Sequence, residues 1–190
     1  MEILILAVEK HPKSVIVKNS SLLSELFLTY FDLRRIQCSP RTEDSYEEDE
    51  IEVVEDAVNE VAIKMIYKLN DATFRPVFVK LLDWATATSS KKDSNASLYR
   101  LTSWYSFLHS FFESLKVWNC EQRHLSCANI TGQSIVTSYA GFVIDSAGEI
   151  LGGDAPKDES AMILWRRVLQ TLHSAFEHDQ DGRHTALMAN

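Results

Sequence analysis

Apolar positions recur at helical spacing along most of the chain. Residues 21–37 place Leu22, Leu26, Tyr30 and Leu33 on one face, with Leu23, Phe27 and Phe31 beside it. Residues 50–69 repeat the pattern with Ile51, Val54, Val58, Val61, Met65 and Leu69. Val77, Phe78, Leu81, Leu82 and Ala85 carry it over 74–87, and Leu98, Leu101, Tyr105, Leu108, Phe112 and Leu115 over 97–116. Met162, Trp165, Leu169, Leu172 and Phe176 complete the set over 159–177. Steps of three and four residues put such side chains on one stripe of an α-helix. Residues 1–10 and 134–151 are weaker helical candidates, and between Pro12 and Asn19 a short helix fits better than a strand over 15–17. No run alternates with period two between turn signals, so the pattern predicts an all-α chain.

Proline and glycine punctuate these segments. No glycine precedes Gly132, and Pro12, Pro40 and Pro156 fall between periodic runs, where helices should end. Pro76 is different, because it follows a cap-forming residue. The expected corner has Leu69 ending one helix, Asn70 and Asp71 turning, and Thr73 capping a helix that begins at Phe74. Pro76 then sits in a first turn, where a missing N–H costs little. Phe74 and Phe78, spaced i, i+4, would point back to the helix ending near Leu69. Polar loops at 38–49 and 88–96 favour stacked antiparallel helix pairs over a compact bundle. At about 40–47 residues per HEAT or armadillo unit, the chain has room for roughly four, and a HEAT-like α-solenoid fragment is the predicted architecture.

Composition narrows the chemistry. The chain is 45% hydrophobic and 24% charged, the balance of a folded protein rather than a disordered one. A net charge of −8 argues against a simple nucleic-acid binder. Nine acids crowd residues 43–56, read as a solvated loop running into a helix N-terminus. The aliphatic run from Ile3 to Val8 is too short to span a bilayer and lacks the flanks of a signal peptide. Three scattered cysteines suit a reducing compartment. Cys120, His124 and Cys127 bring only three candidate zinc ligands together, with no second half, so no metal is expected. No phosphate-binding glycine loop and no nucleophile signature is present, which predicts no cofactor, no small-molecule substrate and no enzymatic activity. Lys64, Lys68, Arg75 and Lys80 fit solvated helix faces best. Lys64, Lys68, Asn70, Asp71 and Arg75 are the candidate contact for a partner subunit or for RNA phosphates.

The string Lys68-Leu69-Asn70-Asp71-Ala72-Thr73-Phe74-Arg75-Pro76, followed by Phe78 and Trp84, carries a resemblance. So do Phe31-Asp32-Leu33-Arg34-Arg35, the run Ser134 to Tyr139, and His178-Asp179-Gln180-Asp181. Together they resemble the C-terminal region of the U3 small nucleolar RNA-associated protein ten family, the large HEAT-repeat subunits of the small-subunit processome. The resemblance implies a nuclear, nucleolar, non-catalytic scaffold. Its implied partners are other processome subunits, with U3 snoRNA and pre-ribosomal RNA in the same complex. It also implies support for pre-rRNA processing, small-subunit rRNA maturation and RNA polymerase I transcription of ribosomal DNA. The alternative is a HEAT-type protein-binding adaptor in another pathway, such as transport.

Two segments depart from the family pattern. In the resembling proteins the equivalent of Lys116 runs directly into the equivalent of Ser134, so residues 117–133 read as an insert. Its first codon, for valine, begins with GT; Gln133 can be CAG, and Ala128-Asn129 can be GCTAAC, the marks of a retained intron that keeps the frame. Residues 182–190 read as an aberrant tail. The expected organisation is therefore a C-terminal HEAT-repeat region over 1–181, interrupted at 117–133, from an incomplete or mis-spliced gene model.

Overall fold

In a computed structural model, residues 2–38, 47–87, 95–122 and 132–177 are described, with side chains assigned outside 116–138. Among the described residues every regular element is an α-helix. The helices are α1 (Glu2–Lys10), α2 (Lys13–Lys18), α3 (Ser20–Phe31), α4 (Leu33–Gln37), α5 (Glu48–Ile66), α6 (Asp71–Thr86), α7 (Ala96–Gln122), α8 (Gly132–Leu151) and α9 (Glu159–Phe176). The all-α expectation holds, and both weaker candidates, at 1–10 and 134–151, are helices. The chain divides into two compact units, Met1–Phe107 and Leu108–Asn190.

In the first unit α1 and α3 both pack on α5, and α3 also packs on α6. The segment predicted as one helix over 21–37 is two, because the chain breaks at Asp32 before α4 begins. The core is aromatic. Phe31 lies 5.5 Å from Phe107 and 6.2 Å from Trp84, ring centre to ring centre. Phe78 meets Trp104 edge-on at 5.3 Å, and Trp104 stacks on Phe107 at 5.7 Å. Such pairs add about 0.5–1.5 kcal/mol each beyond the area they bury. From Thr102 to Leu108 every residue of α7 is buried. That is the position of a helix walled in on all sides, and it explains why its polar residues there are the small Thr102, Ser103 and Ser106.

In the second unit α8 packs on α9. Asp158 caps α9 by accepting from the Ala161 amide at 2.8 Å. The buried face of α9 is Leu164, Val168, Thr171, Leu172, Ser174 and Ala175, whereas Met162 and Leu169 from the predicted stripe are exposed. The helix is rotated from its expected facing because its inward hydroxyls are satisfied locally: Thr171 donates to the Arg167 carbonyl at 2.8 Å. α7 runs six residues past Lys116, and α8 opens two residues before Ser134. The remainder of the 117–133 insert and the 182–190 tail lie outside the described residues, as do the side chains of Cys120, His124 and Cys127.

Candidate functional site

The predicted contact residues gather around the end of α5 and the start of α6. α5 ends at Ile66, and the Lys68 and Leu69 amides tighten the exit by donating to the Met65 and Ile66 carbonyls at 2.9 and 2.8 Å. Leu69 is buried there. The cap of α6 is Asn70 and not Thr73, and the helix begins at Asp71 and not Phe74. The Asn70 carboxamide oxygen accepts from the Thr73 amide at 2.9 Å, and the Thr73 hydroxyl oxygen accepts from the Asn70 amide at 2.9 Å. This reciprocal pair satisfies two amides that the first turn would otherwise leave unbonded. Asn wins because its planar amide reaches the third amide of the helix, while Thr73 is placed to return the bond. Pro76 therefore stands sixth in the helix, one turn deeper than expected. Its missing N–H leaves the Ala72 carbonyl without a helical donor. Both residues lie on the exposed face of α6, in a shallow groove lined also by Arg75, Val79, Lys80 and Asp83. Phe74 and Phe78 are buried, their rings edge-on at 5.9 Å.

The cations of this region divide into engaged and outward members. Lys64 reaches the Glu9 carboxylate of α1 at 2.6 Å and Glu60 at 2.8 Å. Those hydrogen bonds, to Glu60 first and then Glu9, raise its ammonium above the ordinary lysine value against a small opposing burial effect. Lys68 donates to the Glu9 and His11 carbonyls at 2.8 and 2.6 Å. Lys80 meets Glu25 of α3 at 3.1 Å. Asp71 and Arg75 are exposed.

A second polar constellation lies in the interior of the same unit, and the sequence reading passed over it. Arg34, almost fully buried, grips Glu55 with two parallel hydrogen bonds of 2.9 and 2.8 Å and reaches Glu48 at 2.5 Å. Ser103 donates to Glu55 at 2.6 Å. Burial alone would lower the Arg34 guanidinium, but Glu55 and then Glu48 hold it above its ordinary value. Asp32 accepts from Arg35 and, at 3.1 Å, from Arg100, whose guanidinium lies 5.8 Å from the centre of the Trp84 ring. Burial would raise the Asp32 carboxyl; the arginines outweigh it and hold the group below its usual value. The signal was available: Glu55 falls four residues from Ile51 on the buried side of α5, and Arg34 three from Phe31. A charge inside an apolar stripe calls for an opposite charge inside another. Burial pushes the neighbouring Cys38 thiol upward, with Arg34 opposing, so the thiol is not poised for nucleophilic work.

In the second unit Ser174, fully buried, donates to Glu113 at 2.5 Å and lies 3.1 Å from His109 Nδ1. The residue types are those of a hydrolase triad, but the order is wrong. The carboxylate takes the serine hydroxyl instead of orienting the imidazole, and no substrate atom could approach a buried Oγ. The cluster is a clamp between α7 and α9.

A family model for the BP28CT (NUC211) domain matches residues 15–118 and 129–183. The chain is 46% identical over 182 residues to the U3 small nucleolar RNA-associated protein 10 of Neosartorya fischeri. It is 46% identical over 181 residues to that of Aspergillus fumigatus and 43% over 175 residues to that of Coccidioides immitis. These alignments take in 96%, 95% and 92% of this chain and 9% of each relative. No solved structure matches. On a family match that spans most of its residues, the chain belongs to the BP28CT (NUC211) domain family, which forms the C-terminal region of the U3 small nucleolar RNA-associated protein 10 relatives.

Proposed function

We propose that the chain acts as a non-catalytic scaffold segment of the nucleolar small-subunit processome. In that role it joins other processome subunits in a complex with U3 snoRNA and pre-ribosomal RNA. Such a segment supports pre-rRNA processing, small-subunit rRNA maturation and RNA polymerase I transcription of ribosomal DNA. The observation that carries the reading is the 46% identity, over 96% of this chain, to a protein named for its association with U3 small nucleolar RNA. The fold agrees with it: an all-helical body whose interior polar clusters are tied to one another between helices is built for rigidity, not turnover. HEAT-like stacking of helix pairs extends the same reading to the longer relatives, of which this chain spans about 9%. The outward residues of the α5–α6 corner, Asp71 and Arg75, are the proposed meeting point with a neighbouring subunit.

A tagged copy of the chain tests this directly. It should concentrate in the nucleolus, and RNA recovered with it should be enriched in U3 snoRNA over a tag-only control. Diffuse cytoplasmic signal with U3 at control level would overturn the proposal and favour an adaptor role elsewhere.

A further inference from the structure

We propose that Lys64 and Lys68 of α5 form a docking seat for the C-terminal end of α1, a latch that releases α1 while the rest of the first unit stays folded. The family match begins at residue 15, so α1 lies outside the matched domain while both lysines lie inside it. α1 thus leads into the domain and is held on it by a specific arrangement. Lys68 donates to two carbonyls, those of Glu9 and His11, at the end of α1 where backbone acceptors run out of intrahelical partners. Lys64 pairs with the Glu9 side chain in the last turn of α1. Two ammonium groups at the negative end of a helix dipole are favourably placed. The chemistry recognised is a helix C-terminus bearing an acid in its last turn.

The remainder of the attachment is slight. Of the nine residues of α1 only Val8 is buried, and Ile3 and Leu6 are 83% and 50% exposed. A helix this short does not persist alone in water, so its order is borrowed from α5. The pair Lys64–Glu9 is largely exposed, and its attraction is screened by salt. Attachment through a few charged contacts and one buried valine predicts opening well below the free energy that unfolds the aromatic core.

Hydrogen exchange on the whole chain tests the latch. In Lys64→Met/Lys68→Met, which keeps the aliphatic stems, the α1 amides should exchange about tenfold faster, with α3 and α5 at wild-type rates. In the unaltered chain, raising sodium chloride to about 0.5 M should move α1 the same way. Unchanged α1 exchange in the variant overturns the seat, and acceleration of α1, α3 and α5 together overturns its independence. Should the variant fail to fold, the salt series on the unaltered chain decides: salt-insensitive α1 exchange refutes the latch.

Discussion

Asn70 holds the start of α6 through its side chain, and Thr73 answers through its own. The two bonds are not equal. The Asn70 oxygen supplies an acceptor to an amide of the first turn, whereas the Thr73 hydroxyl reaches back to the residue before the helix. Asn70→Ala should cost about 1 kcal/mol in urea unfolding, and Thr73→Ala less. A larger loss at Thr73 would contradict the assignment of Asn70 as the cap. Both residue types are good caps, and three residues separate them in either role. The sequence therefore located the corner but not which of the two leads it. That ambiguity also displaced Pro76 by a turn, since its position was counted from the wrong cap.

The elements themselves were legible wherever apolar spacing was strong, as in α5, α6 and α9. Facing was less legible. On α3 the predicted Leu22, Leu26 and Tyr30 are exposed, and the helix turns Phe27 and Phe31 inward instead. Apolar counts cannot weigh a large aromatic payload against three smaller contacts, nor can they see that an inward polar residue will be met from another helix. The Arg34–Glu55 pair is the clearest case, because two helices separated by an acidic loop supply its halves. Removing one partner strands a buried charge, so Arg34→Met or Glu55→Leu alone should each cost about 3–5 kcal/mol. The double substitution should recover most of that loss, since neither charge is then left behind. A denaturation cycle showing simple additivity would mean that the two residues stabilise α4 and α5 independently.

At the scale of the whole molecule, the all-α class was legible because nothing in the sequence competes with helical spacing. The order of packing was not. α1 and α3 meet on α5, which lies beyond an intervening acidic stretch, and local periodicity has no information about such partners. The family match passes over residues 119–128, inside the segment 117–133 that the sequence reads as an insert. Deleting 117–133 would shorten α7 by its last six residues and close a shorter connection to α8. Loop closure changes slowly with length, about 0.6 kcal/mol per doubling. The melting temperature should therefore stay level or rise, with helical circular dichroism per residue retained. A clear fall in melting temperature would show that the segment contributes to the fold.

α7 is the one helix shared by both units, since the division between Phe107 and Leu108 falls inside it. Its first half brings Trp104 and Phe107 to the aromatic core, and its second brings His109 and Glu113 to Ser174. A ribosome consequently delivers the N-terminal unit with one wall missing. Until synthesis has passed Phe107, the rings of Phe31 and Phe78 lack the partners that cover them, and the nascent chain presents that surface to chaperones. Completion of a single helix then closes one half and begins the other, so the chain is assembled in the order in which it is read.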